Sequence, residues 1–228
     1  MQPDFTRPVL SIDTSTTFLS LALFSGSLKA EFHAEVGHQQ SQQILPQILN
    51  LMNKIGCNSM DLGAIVYAKG AGAFTGLRIG VGVAQGLATP FDTPLIGVPC
   101  LDAVAYQEPD CECVLAATDA RMGEVFYAWF DTKNHIKLSN YCVGKASEIR
   151  LPEHILATNV RGVGNAFALA DAPAFSGSLK MPTAADYWAL AQTGCYPATA
   201  PEAAELLYVR NKIALTAAEQ AARKNQAA

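Results

Sequence analysis

Two aspartates close matching apolar runs, Asp13 at the end of VLSID (9–13) and Asp119 at the end of VLAATD (114–119). A carboxylate at a strand end in an α/β fold can reach a metal ion or a phosphate, which makes both residues candidates for nucleotide binding. The other role open to them is local: accepting hydrogen bonds from the amides of the next turn, for which Asp13-Thr14-Ser15 is well composed. The local role is favoured because neither turn supplies the glycine that lets a backbone close on phosphate. A third candidate is Gly70-Ala-Gly-Ala-Phe-Thr-Gly76, whose glycines before a helix could expose amides to an anion. It matches neither G-x-x-x-x-G-K-[ST] nor G-x-G-x-x-G, and no lysine follows to reach a terminal phosphate. Gly70 and Gly72 serve equally well to permit a tight strand-to-helix turn, and that reading is preferred.

Hydrolytic and metal-binding patterns are poor. His33 and His38 form H-x-x-x-x-H, not the i,i+4 pair that puts two imidazoles on one helix face, and His135 and His154 lack ligand-like neighbours. No serine sits in G-x-S-x-G. The six cysteines (57, 100, 111, 113, 142 and 195) are scattered, with one C-x-C and no C-x-x-C, and read as reduced thiols. No catalytic residue, metal site or cofactor is assigned on these grounds.

The elements that position these residues follow from periodicity. VLSID, the polar TSTTF and LSLALF (19–24) make a hairpin, and KAEFHAEV (29–36) a third strand. In 41–55, Ile44, Ile48, Leu51 and Ile55 form one helical stripe and Leu45, Leu49 and Met52 an adjacent one, with Pro46 in the first turn or at a kink. AIVYAK (64–69) is a buried strand, the glycine loop opens a helix through Ala88, and PLIGV (94–98) ends this half. VLAATD and VFYAWF then repeat the opening hairpin at an offset of 114 − 9 = 105 residues, close to half the chain. The expected fold is α/β: two related lobes, 1–106 and 107–228, each with a mixed sheet flanked by helices. Prolines 152, 173, 182, 197 and 201 break the second lobe into short elements, and the alanine-rich 214–224 reads as a terminal helix.

The second helix carries a cost. Gly80, Gly82 and Gly86 each disfavour a helix interior by ~1 kcal/mol relative to alanine. Its apolar or small arc, through Leu77, Val81 and Ala84, covers ~200°, beyond the ~100° stripe that one sheet needs. Either the two helices cover one another or a second chain covers both; the surplus on both helices favours an intermolecular interface.

Composition narrows the class. The chain is 50% hydrophobic and 16% charged over 228 residues, which excludes disordered and low-complexity classes. Sixteen Lys and Arg against 20 Asp and Glu leave a net charge of −4, so the overall field does not favour a polyanion. Gln85, Thr89 and Pro90 interrupt the most apolar region short of a membrane span, and the N-terminus has neither the basic nor the long apolar part of a secretory signal. A cytoplasmic protein is expected.

VLSIDTSTT, SQQILPQI, GAGAFTGLRIGVGVAQGLA, LIGVPCLDAVA, DARMGEVFYAWF and LLYVRNK, in that order, closely resemble the TsaB (YeaZ) family, across essentially the whole chain. The family is a subunit of the bacterial machinery that installs threonylcarbamoyladenosine beside the tRNA anticodon. The resemblance implies two lobes of the actin-like, ribonuclease-H-like superfamily. It implies a pseudo-enzyme that scaffolds and activates TsaD, the relative carrying metal and nucleotide, while TsaC makes the threonylcarbamoyl adenylate and TsaE joins the TsaB–TsaD pair. tRNA would be met only through the complex. It further implies a homodimer and a TsaD heterodimer sharing the two helices, with Leu45, Ile48, Leu49, Met52, Thr75, Leu77, Arg78, Val81, Ala84 and Gln85 at the interface. Ala71 and Ala73 stand where the family usually has Pro and Ser, and Gln40 where it commonly has His; these departures argue against catalysis at those positions. The rival readings are an actin-like ATPase or kinase using Asp13 and Asp119, and a metallopeptidase, for which the histidine pair is missing.

Overall fold

A computed structural model describes residues 1–153, 155 and 159–210. The first apolar runs pair as an antiparallel hairpin, β1 (Val9–Asp13) with β2 (Phe18–Ser25), and β3 (Leu28–Glu35) adds to the far side of β2. Helix α1 (Gln40–Ile55) leads back to β4 (Ala64–Gly70), parallel to β1; α2 (Phe74–Ala88) leads to β5 (Leu95–Pro99), parallel to β4, and α3 (Cys100–Ala105) follows directly.

The second half repeats the plan. β6 (Val114–Arg121) and β7 (Glu124–Asp131) form the hairpin, β8 (Ile136–Lys137) and β9 (Cys142–Gly144) both pair antiparallel with β7, β10 (Arg161–Val163) lies parallel to β6, and β11 (Gly177–Ser178) parallel to β10. The order β5-β4-β1-β2-β3 in one sheet matches β11-β10-β6-β7-β8 in the other. Where α2 follows β4, only a 3-10 turn, Asn165–Ala168, follows β10. The architecture is α/β, two mixed sheets flanked by helices.

α4 (Ala184–Ala191) and β12 (Ala198–Thr199) then return to the first sheet, β12 pairing antiparallel with β5 and α4 lying against β1, β2, β4 and β5. The alternation of β1 divides its side chains between two apolar layers: Leu10 and Ile12 join the cluster under α1 and α2, Val9 the cluster under α4. A capping box starts α4, in which the Thr183 hydroxyl and amide both bond the Asp186 carboxylate, and the Ala184 amide donates to Ser20 Oγ of β2 at 2.8 Å. Pro46 lies past the first turn of α1, on its exposed side, where water can satisfy the carbonyl that proline leaves without a helical donor. The terminal helix expected over 214–224 lies outside the described residues. Among the described residues no helix is long and apolar enough to cross a membrane.

Candidate functional site

The glycine loop and the β1–β2 turn are packed into one unit. The Thr14 hydroxyl donates to the carbonyl of Gly76 at 2.7 Å, and the Ala73 amide donates to the carbonyl of Ser15 at 2.7 Å. A methyl on Gly72 would come within 2.8 Å of the Ser15 carbonyl oxygen, and methyls on Gly76 and Gly80 would overlap the Thr14 carbonyl and hydroxyl. Gly72, Gly76 and Gly80 therefore let the loop and α2 lie directly on the β1 turn. Gln40, at the start of α1, is buried there, and its amide nitrogen donates to the carbonyls of Thr16 and Phe18, both at 2.8 Å.

Asp13 is buried, and its carboxylate accepts the Ser15 amide at 2.8 Å; burial pushes its pKa up. Asp119 accepts the Arg121 amide at 2.7 Å, pairs with the Arg121 guanidinium at 3.2 Å, and its own amide donates to Asn165 Oδ1 at 2.9 Å. Both carboxylates thus hold the turn that follows them. The β6–β7 turn does contain a glycine, Gly123 at φ 74°, but it follows Arg121 and Met122, which themselves adopt positive φ in a tight hairpin.

Between the lobes lies a cleft of about 610 Å³, bordered by the Ser15–Thr17 turn, the Ala71–Thr75 loop, Asp119 and the segment Leu207–Arg210. Asp119 lines it and Asp13 does not. The Thr118 and Tyr187 hydroxyls beside it are buried and find no hydrogen-bond partner among the described residues, and burial pushes the neighbouring Cys100 thiol up to about 12.

The ten residues expected at an interface divide. Ile48, Met52, Leu77, Val81 and Ala84 are buried in the chain's own apolar clusters, because α1 and α2 cover the first sheet and one another. Gln85 is half-buried, and its amide nitrogen donates to the Pro201 carbonyl at 2.9 Å. Leu45 and Leu49, by contrast, are 53% and 59% exposed, and Thr75 and Arg78 are exposed. A methyl on Gly82 or Gly86 would meet open space, so the outer side of α2 has two glycines that no contact among the described residues accounts for.

Arg78 also stacks on Phe74, 3.4 Å from the ring centroid, and Tyr208, whose ring lies beside that of Phe74 at 6.2 Å, is 5.8 Å from the same guanidinium. Both aromatics are exposed beside the cleft; their place in GAGAFTG and LLYVRNK was the signal available in the sequence. His33 stacks on Phe18, His135 Nδ1 shares a 2.7 Å hydrogen bond with the Tyr106 hydroxyl, and His38 borders the cleft. His154 lies outside the described residues. All six cysteines are free, and among the described residues no three His, Cys, Asp or Glu side chains group as metal ligands.

The model of the family described as TsaD: tRNA N6-adenosine threonylcarbamoyltransferase matches residues 31–178. The chain is 41% identical over 124 residues to the tRNA threonylcarbamoyladenosine biosynthesis protein TsaB of Escherichia coli (strain K12), covering 53% of each, and 36% identical over 123 residues to that of Haemophilus influenzae, covering 53% of this chain and 52% of that one. The matched part thus spans about half the length of these relatives. The solved structure of YeaZ from Pseudomonas aeruginosa superposes with a TM-score of 0.79 at 27% identity, over 89% of this chain and 99% of that one. A family model matched over well more than half of the chain, the TsaB relatives and the YeaZ structure agree: the chain belongs to the TsaD family, within its TsaB (YeaZ) members.

Proposed function

We propose that the chain is a cytoplasmic, non-catalytic subunit that binds and activates TsaD for threonylcarbamoyladenosine modification of tRNA next to the anticodon. TsaE joins the resulting pair, tRNA is met only through the complex, and the resting form is a homodimer using the same surface. The observation that carries this reading is the outer face of α1 and α2. Leu45 and Leu49 lie exposed on α1 while Gly82 and Gly86 sit over open space on α2, so a partner helix can approach closely and cover apolar side chains. Thr75 and Arg78 continue this face, while Ile48, Met52, Leu77, Val81 and Ala84 form the core beneath and hold its shape. Residues 1–106, with α4 and β12 packed onto them, are the partner-binding lobe in this proposal, and residues from 107 the second lobe.

The absence of transferase chemistry is supported by how the two strand-end carboxylates are used. Asp13 is buried on the Ser15 amide and does not line the cleft, and Asp119 is engaged by Arg121. The test is reconstitution with TsaD. The chain alone should produce no threonylcarbamoyladenosine from tRNA and threonylcarbamoyl adenylate, should form a heterodimer with TsaD, and should raise TsaD turnover. Turnover by the chain alone, or TsaD activity indifferent to it, overturns the proposal.

A further inference from the structure

Residues 201–210 cross from one lobe to the other along the cleft. On the first lobe, Gln85 donates to the Pro201 carbonyl at 2.9 Å, the Tyr67 hydroxyl to the Glu205 carbonyl at 3.0 Å, and the Leu207 amide to the Lys69 carbonyl at 2.8 Å. Ala204 and Leu206 pack into the first-lobe apolar clusters. Gly70, at φ 112°, is required for this approach, since a methyl there would stand 2.7 Å from the Leu207 carbonyl oxygen. The chain then leaves the first lobe. Val209 packs against the cluster that contains Phe126 and Phe130 of β7. Arg210 ends the crossing on the β6–β7 hairpin: its guanidinium donates to the Ala120 carbonyl at 3.3 Å, pairs with the Glu124 carboxylate, touches Met122 Sδ at 3.7 Å and lies over the Phe126 ring at 5.9 Å.

Leu207, Tyr208, Val209 and Arg210 line the cleft together with the loop and turn of the first lobe and the hairpin of the second. We propose that residues 204–210 are an interlobe strap, latched by Arg210 on Glu124, that holds the two lobes together over the cleft and controls access to it. The strap is stitched to the first lobe mainly by backbone and apolar contacts, whereas on the second, beside the packing of Val209, its polar hold is concentrated in the Arg210 side chain. Charge-assisted hydrogen bonds of this kind are the stronger ones, but this pair is partly open to solvent, with side-chain exposures of 20% for Arg210 and 39% for Glu124. Such a latch can be released without unfolding either lobe.

Cys100 reports on the cleft, because it lines the cavity and is only 3% exposed; Cys111 and Cys113, buried in the apolar clusters of the second lobe, report on that lobe's integrity. Labelling of the full chain with N-ethylmaleimide, read cysteine by cysteine by mass spectrometry, should show Cys100 modified about fivefold faster in Arg210→Ala and Glu124→Gln, with Cys111 and Cys113 unchanged. The charge reversal Arg210→Glu should accelerate Cys100 at least as much, and the double variant Arg210→Glu, Glu124→Arg should restore its protection. Unchanged Cys100 labelling in the single variants overturns the latch. So does a failure of the double variant to restore protection, and so does an equal rise at Cys111 and Cys113, which would make the contact part of global stability.

Discussion

Asp13 and Asp119 occupy the same place in the two repeats, and each carboxylate accepts the backbone amide two residues ahead, from Ser15 at 2.8 Å and from Arg121 at 2.7 Å. The duplication has kept the turn-holding acceptor in both halves. The acceptor needs an oxygen and not a charge.

Asp13→Asn should therefore be tolerated, because the Asn Oδ1 can keep the Ser15 amide, whereas Asp13→Ala leaves that buried amide unpaired and should cost ~1–3 kcal/mol. The charge itself is a liability: burial raises the Asp13 pKa above its ordinary 3.8, so the folded state binds the proton more tightly than the unfolded chain. This group's contribution to stability then falls as pH rises from its unfolded pKa through its raised folded pKa. Thermal melts over that window should show a smaller loss in Asp13→Asn than in the natural chain. Were the carboxylate a nucleotide ligand, the Asp13→Asn variant, equally well folded, would lose nucleotide affinity in calorimetry.

The glycines of α2 separate packing within the chain from packing against a partner. Gly80→Ala puts a methyl on the Thr14 hydroxyl and should destabilise the fold by ~1–3 kcal/mol. Gly82→Ala and Gly86→Ala meet open space and should stabilise the isolated fold by ~0.5–1 kcal/mol through helix propensity. If a partner helix approaches there, the same two variants should weaken association even as their melting temperature at dissociating concentrations rises. Denaturant titration paired with analytical ultracentrifugation resolves the two effects.

tRNA affinity should reside in the partner. The net charge is −4, and Arg210, the described cation of the LLYVRNK stretch, is already paired with Glu124; Lys212 lies outside the described residues. Labelled tRNA should remain unshifted by the chain alone at physiological salt. Tight binding with a steep salt dependence would place a tRNA surface on this subunit.

The two hairpins and the two long helices are legible because each is a local pattern: β-branched runs around TSTTF, or a 3.6-residue period through Ile44, Ile48 and Leu51. The 105-residue offset matches the β6–β7 hairpin to β1–β2, but β8, β10 and β11, only two or three residues each, carry no such signal. What is not legible depends on contacts far apart in the chain. α4 is eight residues among prolines, and β12 is only two residues long, so neither carries a period; both form because the first sheet has a bare face and a free β5 edge. The surplus apolar arc of α2 suggests an outward surface as a whole. Leu77, Val81 and Ala84 instead face inward, and Gly76 and Gly80 belong to the same inward side, where Thr14 leaves no room for a side chain. The hydrogen bond of Gln85 is not legible for a similar reason, since its partner, Pro201, is 116 residues away. Leu45 and Leu49 are distinguishable from Ile44 and Ile48 only as a second stripe, and burial divides that stripe, Met52 being buried while Leu45 and Leu49 are exposed.

If the outer face of α1 and α2 is where this chain meets its partners, a charge placed there should separate them. Size-exclusion chromatography with light scattering, on Leu49→Glu alone and mixed with TsaD, is the measurement. Leu49 is 59% exposed, so a glutamate there leaves the fold intact, as circular dichroism and a thermal melt should confirm, while in a covered seam it becomes an unpaired buried charge costing ~2–4 kcal/mol. Leu49→Glu should be a folded monomer with weakened or absent TsaD binding. A folded Leu49→Glu variant that remains dimeric and binds TsaD as the natural chain does would contradict it.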